Sequence, residues 1–366
     1  MKKLFPYLFI IILLTYSVKA NEFPLDPNIT YGKLDNNLTY YIRENQNPRD
    51  KAYIKMVIKA GSVMEEEHQQ GLAHLLEHMA FNGSKNFPKR SVDEFMSSIG
   101  LNIGTHYNAS TGFFVTNYEY EIPTNDPKNL ETVIKIFADV LKNLSLEDDA
   151  FERERKIVEE EWRSDLGKSK RLYNEFQEYL YKNSKFAERQ PIGDMEIIRS
   201  FSYETAKRFY YDWYRPNLMG IIAVGDFDPN YVKKIIEKNF SKLENKSNRI
   251  PPDTLLPKYN ETIFLNQSDK EQTNILFTIR NKNKKLKLDT IRNVRTNAVY
   301  TLIIDIVNEI APEHLELNIK NFRSFLPKIK NSGSICLGKY AVMAMTDYNV
   351  GSNHILPTNG SAKYSS

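Results

Sequence analysis

Residues 71–84 read GLAHLLEHMAFNGS and place His74, Glu77 and His78 within five positions. The polar run EEEHQQ just before it is loop-like, and the segment from Gly71 through Phe81 is predicted to be a helix. On a helix, residues four apart lie one turn apart on one face, so His74 and His78 point the same way. Two imidazoles so placed can reach one zinc ion at about 2.0–2.1 Å. Glu77 can face the same ion without ligating it. There it can take a proton from a water that the ion acidifies, then return it to a leaving amine.

The alternative is an ordinary amphipathic helix with two surface or core histidines. Against it, H-x-x-E-H is rare by chance in a chain with six histidines, and the pattern is a zinc-peptidase signature. A catalytic zinc also needs a third protein ligand and an open position. The helix FERERKIVEEEWRSD, residues 151–165, carries Glu154 and Glu161 two turns apart on one face. One can ligate while the other stands behind the site. Spacing alone favours a solvated acidic face.

Around this core the chain reads as follows. Residues 38–64 predict two strands around a turn. SVDEFMSSIG, residues 91–100, predicts a short helix capped by Ser91 and ended by Gly100. GFFVTNYEYEIP predicts a strand ending at Pro123, and residues 127–143 and 147–182 predict helices. LMGIIAVGDF predicts a buried strand, and DPNYVKKIIEKNF a capped helix with Pro229 in its first turn. Residues 244–258, with three prolines, read as a linker; ETIFLNQ and QTNILFTIRNK follow as new strands. The fold class expected is α+β, with helices on one face of a largely antiparallel sheet.

The first twenty residues, MKKLFPYLFIIILLTYSVKA, combine a basic start, an apolar run and small residues at 18 and 20. They read as a signal peptide cleaved after Ala20, which implies a periplasmic or secreted protein. The run is short of the roughly 20 residues a membrane span needs, and no later stretch is apolar enough. An uncleaved anchor is the alternative. Residues 1–20 hold Lys2, Lys3 and Lys19 and no acid, so their removal lowers the formal charge from +4 to +1. That balance argues against a nucleic-acid partner. Cys336 is the only cysteine, so no intrachain disulfide forms.

GSVMEEEHQQGLAHLLEHMAFNGSKNFP, followed by FERERKIVEEEW, YNAST and WYRPNLMGIIAVGDFD, resembles the insulinase/pitrilysin family of zinc peptidases over residues 25–300, its bacterial exported members above all. The resemblance implies one zinc ion per chain on His74, His78 and Glu161, with Glu77 as general base and Glu154 supporting from behind. It also implies that peptide substrate adds as a strand at Asn108 and Ala109. Asn108 reads equally well as a turn residue. His68 and His106 match no family ligand and read as loop or surface residues. Family members close two homologous halves over an unfolded or extended peptide, the second supplying an arginine and a tyrosine. Only the opening strands of that half are recognised here. The chain can therefore act alone as an endopeptidase, pair with another half or a second copy, or bind zinc and peptide without catalysis.

From Thr301 the sequence changes character. IDIVNEIAPEHLELNIKN, IKNSGSICLGKY and TDYNVGSNHILPTNGSAKYSS resemble the C-terminal part of histidinol dehydrogenase. That resemblance implies an acid/base pair at Glu313 and His314, a zinc ligand at Asp347 and a substrate-binding histidine at His354. The rest of that family's site has no counterpart here, so the tail reads as a remnant without dehydrogenase activity. The expected division is 1–20 signal peptide, 21–245 zinc-peptidase half-domain, 246–300 linker and opening of a second half-domain, and 301–366 the dehydrogenase-like fragment.

Overall fold

The computed structural model describes residues 25–252 together with 263–267, 275–280, 290, 294–295, 333–337 and 340–345. The predicted leader and its cleavage point lie outside the described residues, as do Glu313, His314, Asp347 and His354. The chain divides into two compact units, Asp26–Lys258 and Tyr259–Tyr348. Among the described residues, no helix is long and apolar enough to cross a membrane.

The first unit is built on a six-stranded sheet. Its strands are β1 (Ile29–Lys33), β2 (Thr39–Glu44), β3 (Lys51–Ile58), β4 (Tyr107–Thr111), β5 (Thr116–Pro123) and β6 (Met219–Gly225), in the order β1-β2-β6-β3-β5-β4. Only the β2–β6 pairing is parallel; β1–β2, β3–β6, β3–β5 and β4–β5 are antiparallel. The expected largely antiparallel sheet is present. Residues 38–64 do form two strands, but these are not neighbours: β6 inserts between β2 and β3. A period-2 pattern reports which face is buried and not which strand lies alongside.

Among the described residues, the helices of this unit are α1 (Leu72–Phe81), α2 (Lys89–Ser98), α3 (Pro127–Asn143), α4 (Asp148–Ser164), α5 (Lys168–Tyr181), α6 (Lys185–Glu188), α7 (Met195–Ser200), α8 (Tyr203–Trp213) and α9 (Pro229–Phe240). The inward faces of the central strands bury Ile54, Met56, Tyr118, Tyr120, Ile221 and Ala223. Against this side lie Leu75, Leu76 and Met79 of α1, Val133, Ile134 and Phe137 of α3, and Ile236 and Phe240 of α9, all buried. Residues alternating with these on β3 and β6 are half-buried or exposed, so the sheet has one packed face.

Two expectations are corrected in detail. Pro88, not Ser91, stands at the N-cap of α2; the Ser91 hydroxyl bonds back to the Pro88 carbonyl at 2.8 Å from within the first turn. Residues 147–182 form two helices, because the chain leaves the helix at residues 165–167. The Asp165 N–H bonds to the Glu161 carbonyl at 3.0 Å, closing α4 just beyond the residue expected to bind metal.

The second unit contributes a four-stranded sheet, β7 (Ile263–Gln267), β8 (Ile275–Arg280), β9 (Gly333–Leu337) and β10 (Tyr340–Met345), in the order β7-β8-β10-β9. β7–β8 and β9–β10 are antiparallel hairpin pairs. β10 runs parallel to β8, with Tyr340 opposite Ile275 and Met345 opposite Arg280. Strands from either side of Thr301 therefore share one sheet.

Candidate metal centre

Helix α1 begins at Gly71, which takes a left-handed conformation with φ +97°. The loop carrying Gly193 packs against it so closely that a Cβ on Gly193 would sit 2.4 Å from the Gly71 Cα. Beneath the helix start lies Glu65, fully buried, whose Oε1 accepts the Ala73 N–H at 2.9 Å. A carboxyl group there serves one of the N–H groups that a helix leaves unpaired at its start. The Arg189 guanidinium, 1% exposed, donates to the Glu65 carbonyl at 3.2 Å and to the Glu67 carboxylate. The helix start is thus fixed on several sides before any metal is considered.

With the apolar face of α1 committed to the core, His74 and His78 emerge on the other side. Their Nε2 atoms face each other at 3.3 Å. Glu161 reaches in from α4, with carboxylate oxygens 3.6 Å from His74 Nε2 and 3.6 Å from His78 Nε2. One ligand atom from each of the three lies within 4.8 Å of the others. In a tetrahedral zinc site with bonds of about 2.0–2.1 Å, two ligating nitrogens lie roughly 3.3–3.4 Å apart. The observed imidazole spacing matches that edge, and the chemistry of two imidazoles and a carboxylate suits a divalent cation. The three residues fit the group.

Electrostatics agree with the geometry. Burial, reinforced by the neighbouring His78, pushes His74 down to about 3, so its ring is neutral near pH 7 and keeps a lone pair. His74 Nδ1 is buried without a hydrogen-bond partner. Burial opposes charge on His78, but its hydrogen bond with Glu154 and the charges of Glu161, Glu77 and Glu154 outweigh that and raise its pKa.

Glu154, seven residues before Glu161, lies behind the site, with Oε2 3.2 Å from His78 Nδ1. Burial would raise its pKa; the bonds from His78 and Asn82 and the Lys89 charge more than offset this and hold it below the usual range. The arrangement is the familiar one in which an imidazole donates its far N–H to a carboxylate. Of the two glutamates on this face, Glu161 points at the imidazole pair and Glu154 at the back of one ring.

Glu77 is 7% exposed. Burial pushes it up to about 7; the Thr111 hydrogen bond and the His78 charge pull down, and Glu161 pushes up. The Thr111 hydroxyl donates to Glu77 Oε2 at 2.6 Å. A group poised near neutrality suits proton transfer at ordinary pH.

Asn108 and Ala109 lie on β4, the last strand of the sheet; among the described residues its one neighbouring strand is β5. Asn108 is exposed, and its side-chain oxygen accepts the Ala109 N–H at 2.9 Å. His68 lies in a short 3-10 turn, with Nε2 2.9 Å from Arg208 Nη2 and 3.5 Å from Glu66 Oε2. His106 accepts the Asn102 N–H at 3.1 Å in the loop before β4. Neither is among the clustered metal-capable residues. Sequence reasoning did not single out Thr111, Asn82 or Glu65. Their partners lie 34, 72 and 8 residues away, and no local pattern marks such pairs.

Comparison with known proteins yields two family matches. Residues 40–186 match the model of insulinase, peptidase family M16. Residues 265–366 match that of histidinol dehydrogenase, a match that starts upstream of Thr301. The chain is 33% identical over 283 residues to a zinc protease PQQL-like protein of Arabidopsis thaliana, covering 76% of this chain and 29% of that protein. It is 78% identical over 64 residues to histidinol dehydrogenase of Pelagibacter ubique, covering 18% of this chain and 15% of that one. Among solved structures, the first half of the periplasmic protease PqqL from Escherichia coli superposes with TM-score 0.67 at 26% identity, covering 86% of this chain and 66% of that one. The chain spans 24–29% of the length of the first curated zinc proteases it matches. Both resemblances drawn from the sequence are thereby shown: an insulinase-type peptidase segment, and a histidinol dehydrogenase fragment.

Proposed function

We propose that this chain is the zinc-bearing half of an exported endopeptidase that hydrolyses extended peptides. The observation carrying this reading is the convergence of His74, His78 and Glu161 on one point with the buried Glu77 carboxyl on the same helix. A zinc ion held there supplies Lewis acidity, polarising a peptide carbonyl and acidifying water.

The chain's own residues do the rest. Glu77 takes the proton from the attacking water and later delivers it to the departing amine nitrogen. Glu154 orients the His78 ring. Thr111 fixes the Glu77 carboxyl. An extended peptide would add along the outer edge of β4, at Asn108 and Ala109, by main-chain hydrogen bonds that need little sequence specificity; the Ala109 N–H would first give up its bond to the Asn108 side-chain oxygen. Export rests on the leader-like first twenty residues, and the word periplasmic in the name of the solved relative is consistent with it.

A second reading is favoured by the share of the relatives that is covered. With about a quarter of their length, the chain would be a half that binds zinc and peptide and needs a second chain, or a second copy, to close the site. The domain division follows from both readings: a peptidase half-domain over 21–245, then a linker and the opening of a second half, and a dehydrogenase-like tail from 301. We read that tail as a remnant without dehydrogenase activity.

The deciding experiment is cleavage of a quenched, unfolded peptide by zinc-loaded residues 21–366 beside Glu77→Gln. Cleavage lost in the variant supports a working peptidase. A folded, zinc-bound monomer that cleaves nothing removes the first reading and leaves the second, which light scattering after gel filtration then tests. NAD reduction in the presence of histidinol would overturn the reading of the tail. Sequencing the gene across codons 295–305 tests the junction, and an uninterrupted second peptidase half there would end the fusion.

A further inference from the structure

Among the described residues, His78 is the imidazole of the pair that is held from behind, and what holds its support has its own architecture. Asn82 sits at the C-cap of α1, 8% exposed, with its N–H bonded to the Met79 carbonyl at 3.0 Å. Its side-chain Nδ2 donates to Glu154 Oε1 at 2.6 Å and to the His78 carbonyl at 3.3 Å. Its Oδ1 accepts from Lys89 Nζ at 3.4 Å. Both amide donors and the acceptor are engaged, so the amide has one orientation.

Lys89 returns to Asn82 because residues 82–89 make a closed loop. Ser84 N–H bonds to the Phe87 carbonyl at 2.8 Å. Gly83 takes φ +93°, and a Cβ there would lie 2.4 Å from the Lys89 nitrogen. Asp139 of α3, itself buried, pins the loop: it accepts from the Ser84 hydroxyl at 2.5 Å, the Asn86 N–H at 2.9 Å and the Asn86 amide at 2.7 Å.

We propose that Asn82 is a positioning residue for the metal centre, acting through Glu154: its amide locks the carboxylate that orients His78. The inference rests on the metal-centre reading above. It adds a contact behind the supporting carboxylate, tying His78 through Glu154, Asn82 and the 82–89 loop to α3. Residues of this outer kind typically change metal affinity by about 10–100-fold when replaced. Asn82→Asp keeps the size and sets a second carboxylate against Glu154, so it is expected to cost at least as much as Asn82→Ala.

The test is zinc affinity of the full chain, measured by competition with a chromophoric chelator for wild type, Asn82→Ala, Asn82→Asp, Glu154→Gln and the double variant Asn82→Ala/Glu154→Gln. The expected result is that the zinc Kd rises about tenfold or more in each Asn82 variant, and that the double variant binds no more weakly than Glu154→Gln alone. Unfolding of the apo proteins is recorded alongside. If Asn82→Ala fails to fold, the near-isosteric Asn82→Asp carries the comparison. Wild-type affinity in the Asn82 variants overturns the proposal. So do losses that multiply in the double variant, because Asn82 would then act through the helix end and not through Glu154. Absence of zinc binding by wild type is a different failure and sinks the metal-centre reading itself.

Discussion

The Thr111 hydroxyl donates to Glu77 Oε2 at 2.6 Å, joining the outermost strand of the sheet to the buried carboxyl group of the motif helix. Thr111 Oγ1 also lies 3.3 Å from Thr116 Oγ1, and the Thr116 hydroxyl donates to the Ala60 carbonyl at 2.9 Å. The strand expected to receive peptide and the group expected to move the proton are therefore one hydrogen bond apart. Replacing Thr111 by Val removes a bond that favours the charged carboxylate. The Glu77 pKa should rise, shifting the acid limb of the kcat/KM profile to higher pH. A bound cation pulls in the opposite direction, so wild type and variant are compared with zinc loaded. We expect kcat about tenfold lower with zinc affinity unchanged, and recovery in Thr111→Ser. Equal profiles for all three proteins would show the bond to be incidental.

Glu77→Gln should abolish peptide cleavage by roughly 10²–10⁴-fold, the span expected for loss of a general base. Its zinc affinity should stay within a few-fold of wild type, because Glu77 is not in the ligand cluster. Chelator competition together with quenched-peptide assays separates these effects; a large loss of zinc would instead make Glu77 a ligand.

Glu161→Gln should weaken zinc binding by more than the roughly 10–100-fold typical of residues behind the ligands. The thermal consequence follows by mass action. Free zinc at 1,000 times Kd stabilises wild type by about 4 kcal/mol, and this increment should largely vanish in the variant at the same zinc concentration. Unchanged affinity in Glu161→Gln would remove it as third ligand.

Glu65 sets a pH dependence of stability separate from the metal. Burial pushes its carboxyl from 4.5 up to about 8. Between those values the folded chain keeps a proton that the unfolded chain has released, so stability falls as pH rises through that window and is level above it. Within the window, a proton held only by the folded chain makes stability fall by about 1.4 kcal/mol for each step of one in pH. Glu65→Gln should flatten this slope, so that wild type loses stability relative to the variant between pH 5 and pH 8. Parallel urea midpoints for the two proteins across that range would show that Glu65 ionises normally.

Gly193→Ala should destabilise the first unit by about 2 kcal/mol or more. The residue sits at φ +82°, and its new Cβ would press on the Gly71 Cα at 2.4 Å. A urea midpoint equal to wild type would mean that the loop moves aside without cost.

The sequence carried the centre of the site because its chemistry is local. His74, Glu77 and His78 share a single helix, and Glu154 and Glu161 share a face of another. The roles of the two glutamates were not decidable from their spacing, since two turns along one face, taken alone, favour a solvated acidic face over ligation. Which one faces the imidazole pair depends on how α4 packs across α1. The missed partners, Thr111 and Asn82, act across tertiary contacts with no sequence period. The fold class was legible from alternation in β3 and β5 and from the helical period of α3. The neighbour relation of β2 and β3 was not, because β6 begins roughly 175 residues beyond the end of β2. The break at residues 165–167 was hidden because both flanking helices are amphipathic, and one continuous period spanned them.

The insertion of β6 has a consequence for how the chain can be made. β2 and β3 meet through residues 219–225 and share no ladder of their own. During synthesis, the motif helix and both glutamates leave the ribosome well before the strand that completes the sheet beneath them. A nascent chain stopped before about residue 225 would hold every expected zinc-site residue on an open sheet with two unsatisfied inner edges, a state prone to pairing with its neighbours. Arrested chains of graded length should therefore pass from protease-sensitive to protease-resistant as 219–225 emerges, well after the ligand set is complete.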